Sequence, residues 1–590
     1  MVVLKRLSVA TLAVAVLVGI FLAVAASASD PEQSGSDTVE KGGFAVDLSS
    51  IGRESAEEVL GGSVVGNDVV PAPGGPVVPG VQLRGANSQI NDPGLDNIQT
   101  FEGRRPFVNY TQSETSAAAF EQNIVVGYNS SAAQTFSFVP PLLIRTGWTI
   151  SGFSTSNDGG KTWTSGFIPP AAGSTFTFGD PSLAVDRAGN FYYATLGDDG
   201  LGNFTIQVNK STDGGRTFAA PKIVQVDNGG DKEWLTVGPD PSDPTKDDLY
   251  VTWTSFQPSG VQLRMGTSTD GGQTWTSKTI YAPSTNPDPT FPTNALQFSN
   301  PYVDPANGAL YVPFLHFSNS DTDFIQVMVS YDGGTTFSFL NFNVPGAPDS
   351  TLLPLVQPGE LIDCGNGGLR LTIHSGADQP GGRFGLHRYR YATRLTVQPA
   401  FAARNGILYM AWSQSDSSVF GDPNSHSNIM FIRSSNGGQT WTSPIQVNPT
   451  VAGDTQHVLP SLTLDNDPQS VHVSYYTQHS DGGIDVDLAN SHDRGSTFPT
   501  NRTVRVTGVT SALPPTNNVI SGFSTTNYDR SIQPCYALGE YQSVESANGH
   551  LYVAWGDTRN TVQQPVNPLD PISGLLHQQT DVFFQQVKAQ

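Results

Sequence analysis

A ten-residue phrase that returns six times constrains this chain more than any other feature. Its clearest copy is TSTDGGQTWT, from Thr267 to Thr276, and the others are STSNDGGKTW, KSTDGGRTF, VSYDGGTTF, RSSNGGQTW and NSHDRGSTF. Val261 to Gly266 alternates like a strand before it, and Thr274 and Trp275 begin another after it. An Asp side chain can accept hydrogen bonds from the backbone N–H groups just ahead, and Gly tolerates the positive φ of a tight reversal. The phrase therefore reads as a turn between two strands. Its turn residues, Asp158, Asp213, Asp270, Asp332, Asn436 and Asp493, are 55, 57, 62, 104 and 57 residues apart. A period of that size marks a propeller or a solenoid.

A second phrase alternates with the first and appears seven times, as in PSLAVDRAGNFYYATL from Pro181 and YQSVESANGHLYVAWGD from Tyr541. Each copy is a short apolar strand, a turn and a second strand of the LYVAW type. Together the two phrases predict four strands per repeat, an all-β fold. Such a sheet buries both faces only by stacking on its neighbours, which radial stacking achieves. The seventh repeat has a third strand, Asp581 to Lys588, and then the chain stops. A segment between about residues 85 and 105 is expected to supply the missing strand and remove the open edge.

Composition bounds the setting. With 61 Gly and 42 Pro among 590 residues, 14 % charged residues and a net charge of −22, the chain suits short strands and turns. It does not suit nucleic acid, because nothing compensates the phosphate charge. Lys5 and Arg6 precede an apolar run from Leu7 to Ala26, followed by Ala26-Ser27-Ala28. Residues 1 to 28 read as an export signal or, if uncleaved, as a membrane anchor, so the protein is expected outside the cell or at its surface. Residues 29 to 95 read as a disordered pro-segment or linker and 96 to 590 as the folded part, expected as a monomer, with an insertion at 345 to 397.

The S-x-D-x-G-x-T-W phrase resembles the Asp box of the BNR repeat, and residues 100 to 590 resemble the secreted bacterial sialidase-like β-propellers. The resemblance implies four-stranded blades, seven by repeat count or six as in authentic sialidases. It also implies that the six Asp-box residues are structural, on the face away from the ligand. An enzyme of this kind cleaves a carboxylated sugar with an arginine cluster and a Tyr nucleophile relayed by a Glu. Tyr541 matches the tyrosine, with Glu540 or Glu233 assisting. Where the family carries Arg-Ile-Pro, this chain reads QSETSAAA, with Glu114 in the approximate place of the arginine. Two functions stay open: an exo-acting sialidase-type glycosidase, or a non-catalytic extracellular propeller binding a glycan or a protein.

Three further groups stand out. Glu114, Asp180, Glu233 and Glu540 open first strands of neighbouring repeats, and their repulsion would be relieved by a cation; oxygen ligands suit calcium, although no cofactor is required. Arg370, Arg383, Arg388, Arg390 and Arg394 lie in the insertion, where they either receive a carboxylated or sulfated glycan or pair with acidic neighbours. Cys364 and Cys535 fall on connections at one face of an exported chain and are expected to form a disulfide.

Overall fold

The structure is a computed structural model. It describes residues 81 to 96, 112 to 139, 142 to 283, 296 to 317, 322 to 357, 398 to 418, 425 to 481, 483 to 511, 541 to 563, 576 to 578 and 580 to 589, leaving out the side chains of 81 to 85, 96, 131 to 148, 561 to 578 and 589. The expected export signal, most of the linker, Glu540, the five insertion arginines and both cysteines lie outside the described residues. The described residues all belong to the unit Val46–Gln590.

Among them, apart from a two-stranded ribbon of Thr561–Gln563 with Leu576–Gln578, the strands form six sheets; taking the two halves of the eight-stranded sheet separately, we describe them as seven groups in chain order. The first group comprises Gln112–Phe120, Asn123–Val139, Leu142–Ser156 and Thr164–Phe167. The second runs from Phe176–Val185 to Lys222–Val226, the third from Gly230–Pro239 to Thr276–Tyr281, and the fifth from Ala400–Arg404 to Ile445–Gln446. The sixth runs from Asp454–Thr463 to Thr503–Arg505. The first two join into one sheet through a short parallel pairing of Trp148 and Thr149 with Phe176 and Thr177. The fourth group, built on Leu310–His316 and Asp323–Ser330, takes an extra strand, Leu353–Leu355, from the beginning of the expected insertion.

The seventh group is Ser543–Ala547, His550–Asp557 and Asp581–Ala589, completed by Val81–Gln89 from the other end of the chain. That strand lies inside the stretch expected to be linker and begins upstream of the expected closing window. The edge of Asp581–Ala589 needs a partner, and a strand from the far end satisfies it without exposing backbone.

Both faces of each sheet are covered by the neighbouring sheets. Val126 and Tyr128 of the first group pack with Tyr552, Val582 and Phe584 of the seventh, and Val125 and Phe153 pack with Tyr193 of the second. Further apolar clusters join second to third, third to fourth, fourth to fifth and fifth to sixth. Sixth and seventh are joined by polar bonds: Ser461 Oγ accepts from Val544 N at 3.0 Å, and the Tyr476 hydroxyl donates to Gly556 O at 3.0 Å. Second strands contribute the buried Trp253, Trp412 and Trp555. Their indole N–H groups donate to Asp227, Gln414 and Asp557, so burial leaves no orphan donor.

The recurring turns join third strands to fourth strands. In the third group, Asp270 Oδ1 accepts from the backbone N–H of Gln273 and Thr274 at 3.0 Å each, while Oδ2 accepts from the Thr274 hydroxyl at 2.6 Å. Ser268 donates to the same carboxylate and accepts from Gly272 N. Gly271 and Gly272 have φ of +69° and +82°, and a Cβ at the equivalent Gly215 would lie 2.1 Å from Val125 of the preceding group. Positive φ and close approach to a neighbour therefore both require the second glycine. In the fifth group Asn436 does the same work: its Oδ1 accepts from Thr440 N, but its Nδ2 donates to the Thr440 hydroxyl, which reverses its role.

That substitution generates a test. The Thr274 hydroxyl and the backbone donors hold Asp270 down at about 2, so the carboxylate's contribution is present above the ordinary aspartate value and lost as pH falls toward 2. Asp270→Ala should cost about 1 kcal/mol at neutral pH. Asp270→Asn should cost much less and should lose less stability between pH 4 and pH 2 than the parent does. Thermal melts across that range decide it, and an Asn variant as damaged as the Ala variant refutes this account.

Candidate functional site

First strands of the first, second, third and sixth groups share a register shift at one place. Counting back two residues from the paired position beyond it yields equivalent residues in all seven groups: Glu114, Asp180, Lys232, Phe298, Gln398, Leu459 and Tyr541. All seven are buried. Five of them adopt left-handed backbone, with φ of 54°, 59°, 53°, 59° and 53° at Glu114, Asp180, Lys232, Phe298 and Leu459. Such strain in a non-glycine residue persists only where the surroundings over-determine it.

The equivalence corrects the expected carboxylate set. Only Glu114 and Asp180 are in register; Glu233 lies one residue beyond Lys232, and Glu540 one residue before Tyr541. Lys232, the residue missed in the sequence, stands where a third carboxylate was expected. Its Nζ lies 3.4 Å from Glu114 Oε1 and 3.4 Å from Asp180 Oδ2. Asn129 bridges the pair from behind, donating to Glu114 Oε2 at 2.8 Å and accepting from Asp180 N at 2.8 Å. Lys232 thus supplies the positive charge that repulsion asked of calcium. Among the described residues no three Asp, Glu, His or Cys are grouped to hold a metal, and Glu540 of the expected set lies outside them.

Tyr541 closes this cluster from the seventh group. Its ring packs edge-on against Trp234 at 5.0 Å between centroids, with Lys232 Nζ 5.6 Å from its centre. Its hydroxyl donates to the Pro181 carbonyl at 3.1 Å. Burial pushes that hydroxyl well above the ordinary tyrosine range, and Glu114, Asp180 and Glu233 push it further. A nucleophilic tyrosine needs the opposite, a base that takes its proton. The expected Tyr541–Glu233 relay is not formed, because neither Glu233 oxygen has a hydrogen-bond partner. Burial, followed by the charge of Asp180, raises Glu233 well above the carboxylate range.

A second titratable cluster, unread in the sequence because its members are scattered over repeat six, lies at the end opposite the Asp turns. His479, ending a second strand, sits between two carboxylates: Nδ1 is 2.8 Å from Asp454 Oδ1 and Nε2 is 3.0 Å from Asp485 Oδ2. Asp485 also accepts from Thr507 Oγ1 and pairs with Arg505 at 2.9 Å. Hydrogen bonding to Asp485 and then to Asp454 raises His479 to about 9. The neighbouring Asp487, buried and bonded to Thr477, is pushed up to about 6 by that burial. An imidazolium held this tightly is a clamp, not a base.

At the Asp-turn end, a cavity of about 420 Å³ is lined by Asp186, Arg187, Tyr192 and Asp247 among others. Arg187 is committed to Asp247 and to two carbonyls, and Tyr192 to Asp186.

No family model matches the chain, and no curated protein matches it in sequence. Among solved structures it is similar to the phage phi92 endosialidase, at 10 % identity and a TM-score of 0.40 over 86 % of this chain and 70 % of that one. Trypanosoma rangeli sialidase with the inhibitor DANA gives 12 % identity and a TM-score of 0.35, over 86 % of this chain and 60 % of the sialidase. The GH93 α-L-arabinofuranosidase of Fusarium graminearum with arabinobiose gives 14 % and 0.31, over 59 % of this chain and 91 % of that one. These are weak likenesses to glycan-acting proteins.

The His479 clamp predicts a pH dependence. Its folded value lies above the ordinary 6.5, so the stabilisation is complete below that value and is lost as pH rises through about 9. Melting temperature should fall between pH 7 and 9.5, and His479→Gln should flatten that slope. Equal slopes in the two proteins would show that the clamp contributes nothing.

Proposed function

We propose that this chain is an exported β-propeller of seven blades, directed to glycans, that binds its ligand without a tyrosine nucleophile. Seven strand groups, the neighbour-to-neighbour packing that returns from the seventh group to the first, and the pairing of Val81–Gln89 with Asp581–Ala589 support the ring. The Asp-box resemblance and the apolar run from Leu7 to Ala26 support glycan direction and export, whether the chain is released or stays anchored.

One observation carries the non-catalytic half. Tyr541 is buried, bonded to a backbone carbonyl and set among Glu114, Asp180 and Glu233, which oppose its ionisation. Beside it, the carboxylates that could face a substrate are taken up by the chain's own Lys232. Binding is then a task for the end opposite the Asp turns, where second-to-third loops and fourth-to-first connections lie and where a rigid scaffold can vary its loops freely. Arg370, Arg383, Arg388, Arg390 and Arg394, which fall in the sequence between Leu353–Leu355 and Ala400–Arg404, would favour a carboxylated or sulfated glycan.

The test uses the exported protein on fluorogenic sialosides and other glycosides, beside a glycan array containing sialylated, sulfated and neutral members. Expected are no turnover and retention of acidic glycans that weakens with salt. Sialoside turnover abolished by Tyr541→Phe would overturn the reading.

A further inference from the structure

We propose that the folded chain joins Lys232 to Asp180 through an intramolecular amide bond, with Glu233 as the proton donor. The bond would tie the first strands of the second and third groups covalently, independently of what the protein binds.

Geometry brings together the parts such a reaction needs. The nucleophile is a Lys amine, 5 % exposed, 3.4 Å from one oxygen of a carboxylate that is 1 % exposed. Neither oxygen of Asp180 has a hydrogen-bond partner, so its carbon is not shielded by donors. Glu114, in contrast, is held by Asn129 and serves as the base on the other side of the amine. Glu233 is 1 % exposed, follows Lys232 in the chain and has no hydrogen-bond partner for either oxygen, and burial, then the charge of Asp180, raises it well above the carboxylate range. A buried carboxylic acid with nothing to bond is costly, and a role in delivering a proton explains its place. Rings of Tyr541 and Phe298 flank the ammonium at 5.6 and 6.0 Å, keeping the water that would reverse the reaction away. Both Lys232 and Asp180 have left-handed backbone, a strain that persists only where the surroundings over-determine it.

The step balances without any co-reactant. Lys232 passes a proton to Glu114, and the free amine attacks Asp180 Cγ. One C–N bond forms, and one C–O bond breaks as Glu233 protonates the departing oxygen. Two of the three ammonium protons end on that oxygen as water, relayed through Glu114 and Glu233, which return to their starting states. An ammonium and a carboxylate become a neutral amide, and two buried charges that were costly to desolvate disappear.

Peptide mapping of the exported full-length protein tests this directly. Expected is a branched peptide containing Lys232 and Asp180, one water lighter than its parts, with no tryptic cleavage after Lys232. It should be absent from Lys232→Arg and Asp180→Ala. In Glu233→Gln the bond should form about 100-fold more slowly, the usual loss for a general acid. A free Lys232 side chain in the folded parent protein overturns the proposal whether or not the variants fold. A Glu233→Gln protein that crosslinks as fast as the parent removes Glu233 from the mechanism.

Discussion

A four-stranded sheet with two apolar faces cannot stand alone in water, and everything else in this structure follows from covering both. Every group therefore packs on its neighbours, and the last must find the first, as Tyr552 and Phe584 do against Val126 and Tyr128. The same demand explains why Val81–Gln89 crosses from one end of the chain to the other. Without it the third strand of the final group would present bare backbone, an invitation to aggregate.

Packing of this kind brings Glu114, Asp180, Lys232, Phe298 and Tyr541, equivalent residues of five first strands, together. In repeats four, five, six and seven the shared position carries Phe298, Gln398, Leu459 and Tyr541, uncharged residues that suit burial. In repeats one to three it carries Glu114, Asp180 and Lys232. Charge in such a place is tolerated because the ammonium lies 3.4 Å from both carboxylates and Asn129 donates to Glu114. Removing one member of a buried cluster of this type typically costs several kcal/mol, far more than its net contribution to stability. Tyr541 gains its role from the same convergence, as a ring against Trp234 and a hydroxyl on Pro181.

Much of the fold was legible in the chain itself, for a local reason. Asp270, two glycines and Thr274 specify their turn through bonds spanning four residues, so the motif announces itself wherever it recurs. The LYVAW-type strands were equally plain, because alternation and β-branching are local too. Val81–Gln89 was harder: a closing strand was expected, but its Pro- and Gly-rich surroundings concealed where it starts, since its partner is some 500 residues away. Of the candidate site, Glu114 and Asp180 were read in register, whereas Glu233 and Glu540 were each displaced by one position. A bulge shifts side chains by one residue without leaving a mark in composition, and this hid Lys232 behind its acidic neighbours.

The sequence by itself determined the repeat, the turns and the strand content, because each rests on interactions within a few residues. Only the tertiary structure decided which first-strand residues meet, that a lysine lies between the two carboxylates there, that Tyr541 is a buried strut, and that His479 links Asp454 to Asp485. Those facts depend on register between strands and on packing between groups. Both are settled by long-range burial, and burial also raises Glu233 and Tyr541 well above their ordinary ranges.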